Sequence, residues 1–312
     1  MIVERIWTGN AYRNFNYLIV CSETGDALAV DPLDYQKCLD AAKKNGWNIS
    51  QIANTHEHGD HTGGNKGMVQ ATGASIIAHK NAGDRIPGMT RGVGNGDTIK
   101  VGNSVELECL DTPGHTMSHI CLFSHSDNPS LFSGDTLFNA GAGNCHNGGH
   151  PNELYETFVS QLANLPTNTK IYPGHDYLIN NLQFTLDREP DNKVAQEMIQ
   201  KHKNSDPSNV ITTLADEMEF NTFFRLQNPT IIKRLKEFST LGYPLLIGTS
   251  RKSTIGYILE SPPDQRIEGT ASTIALSIAE GVDIIRLHDV KEMVRVCRVT
   301  DAVVRGWRPD NW

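Results

Sequence analysis

Cysteine is scarce and unpatterned in this 312-residue chain: the six, Cys21, Cys38, Cys109, Cys121, Cys145 and Cys297, show no CxxC spacing. That excludes a disulfide framework and a cysteine zinc knuckle, and reduced thiols fit a cytoplasmic location. Long apolar runs are also missing. No stretch is long enough to span a bilayer, and Met1 to Val20 is interrupted by Glu4, Arg5, Asn10, Arg13 and Asn14, so neither a membrane partner nor a signal peptide is expected. Positive charge is the third shortage. Lys and Arg number 28 against 36 Asp and Glu, a net charge of −8 at pH 7, which speaks against a nucleic-acid partner by bulk electrostatics. No internal repeat or low-complexity linker marks the chain, yet its length and 38% hydrophobic content suffice for a large core and for two or three domains.

What is present in one place is histidine with carboxylate. Asn54-Thr55-His56-Glu57-His58-Gly59-Asp60-His61-Thr62-Gly63-Gly64 brings four potential metal ligands, His56, His58, Asp60 and His61, within six residues. The apolar run Ile49 to Ala53 before it reads as a buried strand. Alternation in an extended segment puts His56 and His58 on one side, while the glycines let the backbone turn so that Asp60 and His61 approach from a helix start. Imidazole and carboxylate without thiolate suit zinc, with iron or manganese as competitors.

Strand-like runs cover Ile2 to Trp7, Asn16 to Cys21 and Ala27 to Val30, the last ended by Asp31-Pro32; a helix is expected from Asp34 to Asn45 with Gly46 as its stop. Further strands are expected at Ser75 to Ala78, Thr98 to Val101, Val105 to Leu110, Ile120 to Phe123 and Lys170 to Tyr172. Asn152 to Leu165 reads as helical, as do the polar stretches Asp176 to Leu186, Asn192 to Lys203 and Asn209 to Phe220. Three more candidate ligands follow apolar strands: His115 in Thr112-Pro113-Gly114-His115, Asp135 in Ser133-Gly134-Asp135-Thr136, and His175 in Tyr172-Pro173-Gly174-His175. One division gives a first metal His56, His58 and His115, a second Asp60, His61 and His175, with Asp135 bridging. His79, His119, His125 and His202 read instead as surface or hydrogen-bonded residues, and the Gly- and Asn-rich segment from Asn144 to Pro151 as a flexible solvated loop.

These motifs, in this order, resemble the metallo-β-lactamase superfamily, and specifically glyoxalase II, the hydroxyacylglutathione hydrolases. Asn181-Leu182-Gln183-Phe184, Thr213-Leu214-Ala215-Asp216-Glu217 and Asn221-Thr222-Phe223-Phe224-Arg225 resemble that family's helical C-terminal part. The resemblance implies an α/β fold: an αββα sandwich over 1–175 with a helical cap over 176–228. It implies a hydrolase of thioesters with two divalent metal ions, Asp60 orienting the attacking hydroxide, and a small-molecule thioester or ester as substrate. Tyr177 and Arg225 match substrate-binding positions of the family. The positions where the family carries a basic residue and an aromatic read Asn144 and His146, and a further basic position reads Asn228, so a weak grip on glutathione is expected. Lactone or ester hydrolysis, and a mononuclear-iron persulfide dioxygenase, are the alternatives.

The last quarter reads differently. Pro229 to Leu241 is expected to be helical, with Ile231, Ile232, Leu235 and Phe238 on one face. Tyr243 to Ile247 reads as a buried strand, Ala271 to Ile278 as a helix, Val282 to Leu287 as a strand and Val290 to Val304 as a helix. Gly248-Thr249-Ser250-Arg251-Lys252-Ser253, Glu268-Gly269-Thr270-Ala271 and Asp283-Ile284-Ile285-Arg286-Leu287-His288-Asp289-Val290 closely resemble the end of dihydropteroate synthase. That resemblance covers 229–306 and implies a partial TIM-barrel-like segment of two βα units, within a third domain over 229–312. It implies a pterin or anion site at Ser250, Arg251, Lys252, Arg286 and His288. Because the earlier barrel strands are absent, synthase activity is not expected; a packing or homo-oligomerisation role is, since two barrel strands leave edges to cover.

Overall fold

A computed structural model describes residues 1–236 and 244–306, side chains 233–236 excepted. The chain divides into two compact units, Met1–Gln227 and Asn228–Trp312.

The first unit is built on two six-stranded sheets. One runs in the order β1 (Ile2–Trp7), β2 (Phe15–Val20), β3 (Asp26–Val30), β4 (Asn48–Ala53), β5 (Ser75–His79) and β6 (Met89–Val93), antiparallel up to β3 and parallel from there. The other holds β7 (Thr98–Val101), β8 (Val105–Asp111), β9 (Ile120–Ser124), β10 (Ser130–Gly134), β13 (Lys170–Pro173) and β14 (Thr212–Thr213), in chain order from one edge to the other. Between β10 and β13 the chain makes a short hairpin, β11 (Leu137–Phe138) with β12 (Gly141–Ala142), which belongs to neither sheet.

Alternation along each strand creates three layers of core. Phe15, Tyr17, Ile19, Leu28 and Val30 meet Ile99, Leu107, Ile120, Leu122 and Phe132 between the sheets. The intervening residues Leu18, Val20, Ala27, Ala29 and Ile52 turn outward onto Cys38 and Ala42 of α1 (Tyr35–Asn45) and Met68 of α3 (Asn65–Thr72). Buried on both faces, β2 has no polar face to show, and all six of its residues are buried. On the far side, Phe123, Leu131 and Ile171 pack on Leu154 of α4 (Pro151–Glu156) and on Phe158 and Leu162 beyond it. The expected αββα sandwich is what forms.

Local signals set the helix ends. The Asp34 side chain accepts from Lys37 N at 3.2 Å as the cap of α1, and Gly46 stops that helix in the left-handed conformation at φ 71°. The helical region comprises α5 (Leu178–Arg188), α6 (Lys193–His202) and α7 (Leu214–Phe220), closed around Leu178, Leu182, Ala195, Val210 and Phe220. The helix expected from Asn209 starts only at Leu214. Thr212–Thr213 forms β14 instead, pairing antiparallel with β13 and covering that sheet edge.

The second unit holds α8 (Pro229–Lys236), β15 (Leu246–Ile247), α9 (Ser253–Leu259), α10 (Ile267–Ala279), β16 (Ile284–Ile285) and α11 (Val290–Val304). β15 and β16 pair in parallel, as in a barrel, and Ile274, Ile278 and Met293 close a small core. Two expectations are corrected, and one helix is new. The strands are two residues long, and Leu246 is 60% exposed rather than buried, because a two-stranded ladder has nothing to cover its second face. Helix α9 had no counterpart in the sequence reading. Ile231 is buried while Ile232 is half exposed; Phe238 and Tyr243 fall outside the described residues.

Candidate metal centre

Seven side chains reach one end of the sandwich from both sheets. The segment after β4 brings His56 and His58, and the short helix α2 (Gly59–Thr62) turns Asp60 and His61 inward. His115 follows β8, Asp135 follows β10 and His175 follows β13. They fall into three groups whose ligand atoms lie within 4.8 Å of one another: His56, His58 and His115; Asp60, His61 and His175; and His56, His61 and Asp135. Asp135 stands between the triads, its Oδ1 3.3 Å from His61 Nε2 and its Oδ2 3.6 Å from His115 Nε2 and 3.3 Å from His175 Nε2.

Each ring is held through the nitrogen that faces away from the centre. His61 Nδ1 donates to Asp31 Oδ2 at 2.9 Å, His175 Nδ1 to the Tyr12 carbonyl at 2.6 Å, and His115 Nδ1 to the Asn144 carbonyl at 2.6 Å. His58 Nε2 donates to the Asn147 carbonyl at 3.1 Å. Such outer contacts fix both the tautomer and the direction of a ligand. The segment expected to be a solvated loop therefore supplies two of these carbonyls, and its backbone is part of the centre.

With their outer nitrogens donating, His58 Nδ1 and His115 Nε2 bring bare lone pairs to 3.0 Å, and His56 Nε2 lies 3.1 Å from the same His58 atom. Asp135 Oδ1 is buried without a hydrogen-bond donor among the described residues, since His61 Nε2 is close but not aligned to donate. Burial, helped by the charge of His61, holds the His56 ring well below its ordinary value, and burial lowers His115 too; both are thus neutral, as ligands must be. Burial alone would lower His61 as well, but Asp135 and Asp31 overcome it and hold that ring well above the ordinary value. Converging lone pairs and a carboxylate that draws a proton onto its neighbour are what a cation pair would satisfy. The residues present fit one.

Close approach explains the motif glycines. A Cβ on Gly174 would stand 2.3 Å from Asp135 Oδ1 and 2.8 Å from His61 Cε1, and Gly134, at φ 47°, would press on Thr55 and His119.

Three supporting residues escaped the sequence reading. Asp31, buried at the end of β3 with φ 46°, accepts from Thr55 N and Thr55 Oγ1 as well as orienting His61. Its one visible signal was an acid ending an apolar strand. Asn14 is buried and donates through Nδ2 to the Asp60 carbonyl at 3.0 Å, with Asp60 Oδ2 at 3.4 Å. His119 is a buried hydrogen-bonded residue; its Nε2 accepts from Asp135 N at 3.1 Å and its ring stacks on His56. His79 is buried too, while His125 pairs with Glu108 near the surface.

A cavity of about 810 Å³ opens over the centre, lined by Tyr12, Leu33, His58, Asp60, Phe138, Asn144 and Tyr177 among others. A second, of about 580 Å³, shares Asn144 with it and is walled by His146, Leu154, Tyr155, Phe158, Phe223 and Leu226. Among the described residues, neither is lined by Lys or Arg. Arg225 is committed elsewhere, donating to both carboxylate oxygens of Glu189 at 2.7 and 2.8 Å. In the second unit Ser250, Arg251, Lys252, Arg286 and His288 line a cavity of about 470 Å³. There Arg251 pairs with Asp289 through two hydrogen bonds, and Ser250 Oγ takes the His288 N–H at 3.1 Å.

Comparison with known proteins agrees with both resemblances. Residues 18–175 match the metallo-beta-lactamase superfamily and residues 198–288 match pterin binding enzymes. The hydroxyacylglutathione hydrolase of Polaromonas sp. (strain JS666 / ATCC BAA-500) is 65% identical over 238 residues, covering 76% of this chain and 90% of that protein. That of Nitrosococcus oceani is 63% identical over the same shares. Among solved structures, ETHE1 from Myxococcus xanthus aligns with a TM-score of 0.58 at 23% identity, over 78% of this chain and 92% of that one, which is a likeness of fold. Seven converging candidate ligands on an αββα sandwich, together with relatives of this identity and coverage, place the chain in the metallo-beta-lactamase superfamily and, within it, in the hydroxyacylglutathione hydrolase (glyoxalase II) family.

Proposed function

We propose that the chain is a dinuclear metal-dependent thioester hydrolase of the glyoxalase II type, cytoplasmic, with zinc as the first choice of cation and iron or manganese behind it. The observation that carries this reading is the pair of ligand triads joined by Asp135 at the floor of an open cavity. When bound there, two divalent cations supply a Lewis acid for the carbonyl oxygen and lower the pKa of a water. The chain's own residues do the rest. Asp60, held by Asn14 and partly exposed to the cavity, is placed to accept a proton from the attacking water and to orient it. Tyr177 and Phe138 wall the space for the acyl group. A thiolate leaves without general-acid help, so thioesters suit a site whose carboxylates serve the cations and the water.

The thiol carrier is a finer matter. The second cavity holds the Asn144 and His146 positions, and its walls are aromatic and aliphatic, which supports a weak hold on the carboxylates of glutathione. For the helical segment 176–228 we favour a wall for these cavities, with the segment 229–312 as a separate domain. Its anion-type cavity survives, but Asp289 neutralises one of its arginines, and apolar side chains such as Tyr257 at 83% and Leu276 at 69% exposure favour self-association over a synthase remnant at work.

Metal analysis of the purified protein with a panel of thioesters and lactones tests the main reading. Two cations per chain, with thioester turnover abolished by Asp135→Ala, are expected. One iron per chain with oxygen consumption would replace the hydrolase with the dioxygenase alternative.

A further inference from the structure

Between His56 and His58 stands a carboxylate that belongs to neither triad. Glu57 makes its contacts away from the ligand atoms. Its Oε2 accepts from Ser118 Oγ at 2.9 Å and from Thr116 Oγ1 at 3.1 Å, while Arg85 Nε lies 3.1 Å from its Oε1. Arg85, at the end of the turn Lys80–Arg85, donates in addition to Ser118 Oγ at 2.8 Å and to the Asn81 carbonyl at 2.6 Å. Thr116 and Ser118 are buried and lie on the loop that carries His115. One side chain thus ties the segment bearing two ligands of the first triad to the loop bearing the third.

We propose that Glu57 is a positioning residue that sets the separation of His56 and His58 from His115, and so governs the affinity of that triad for its cation without governing the Asp60, His61 and His175 triad. The inference rests on the dinuclear reading of the centre. Every group that Glu57 meets is a donor, and only a carboxylate accepts from all three. An alanine leaves buried hydroxyls without an acceptor and the His115 loop without its tie. A glutamine keeps one accepting oxygen but turns an amide N–H₂ toward Arg85 or a hydroxyl, so it restores part of the function. The second triad is tied differently, through Asn14 on Asp60 and Asp31 on His61.

The test is titration of chelator-stripped full-length protein with Zn²⁺ against a chromophoric competing chelator, which reads affinity without turnover. Loss of an outer partner typically weakens a metal site about 10- to 100-fold. Glu57→Ala is expected to weaken one of two sites by about that factor and leave the other within about twofold, with Glu57→Gln between it and the unsubstituted chain. In a His175→Ala background, where the first triad remains whole, Glu57→Ala should still weaken Zn²⁺ binding. In a His58→Ala background it should not. If Glu57→Ala fails to fold, Arg85→Ala at the exposed end of the tie is expected to shift the same site in the same direction by less. Equal weakening of both sites, or no change in either, overturns the inference. Should the unsubstituted chain hold a single cation, the dinuclear reading fails instead; the role of Glu57 then falls only if Glu57→Ala and Arg85→Ala leave that cation's affinity unchanged.

Discussion

At the scale of single residues, the ligands and their supports differ in how they announce themselves. His56, His115, Asp135 and His175 each sit in a short glycine-framed motif behind an apolar strand, and that local pattern is legible. Asp31, Asn14 and His119 are lone polar residues whose meaning comes from partners 24 to 46 positions away or from a backbone N–H, and no local pattern encodes that. Gly174 gives a sharp prediction at this scale. Gly174→Ala puts a methyl group against Asp135 Oδ1, and Zn²⁺ binding is expected to weaken roughly a hundredfold, measured by chelator competition, while the fold persists. The carrier prediction also turns on single residues. With Asn144 and His146 standing where the family carries a basic residue and an aromatic, S-lactoylglutathione should show a high KM. A missing charged contact is worth about 1.5 to 3 kcal/mol, about ten- to a hundredfold in binding. Asn144→Lys is expected to lower that KM, and a KM already as low as that of glyoxalase II enzymes with the basic residue would refute the idea.

Among the elements, α7 joins the helical region to the centre through one buried carboxyl. Glu217 accepts from Ala140 N at 2.9 Å, Thr212 Oγ1 at 2.7 Å and Asn221 Nδ2 at 2.8 Å, and Ala140 holds φ 61° in the hairpin after Asp135. Burial pushes this carboxyl up from 4.5 to about 7 despite those bonds. The folded chain then holds a proton between those values that the unfolded chain releases, so stability falls as pH rises from about 4.5 to about 7 and levels off above. Each pKa unit is worth about 1.4 kcal/mol, so the fall is of order 3 kcal/mol. Thermal midpoints of the first unit should track it, and Glu217→Gln should flatten the profile. A slope unchanged by that substitution would assign the pH dependence to other groups. Helix α1 was readable because period and caps agreed, and α11 and the sandwich strands because their period was sustained. β14 was not, because two residues carry no period, and the strand expected over Tyr243 to Ile247 was misread as buried at Leu246 because apolar sequence alone does not say whether a neighbour will cover it.

For the whole molecule, the two units make separable predictions. A chain ending at Asn228 should keep thioesterase activity and run as a monomer, while the full chain should have the mass of a dimer in solution. A monomeric full-length protein with a protease-sensitive second unit would leave the fusion-remnant reading. The placement of the ligands carries one more consequence. Each triad takes two side chains from the segment of β4 and α2 and one from a loop of the opposite sheet, and Asp135 comes from that opposite sheet as well. A bound cation is therefore a rivet through both layers of the sandwich. Its affinity is a force resisting their separation, so chelation should lower the melting temperature of the first unit and speed amide exchange along the seam between the sheets first.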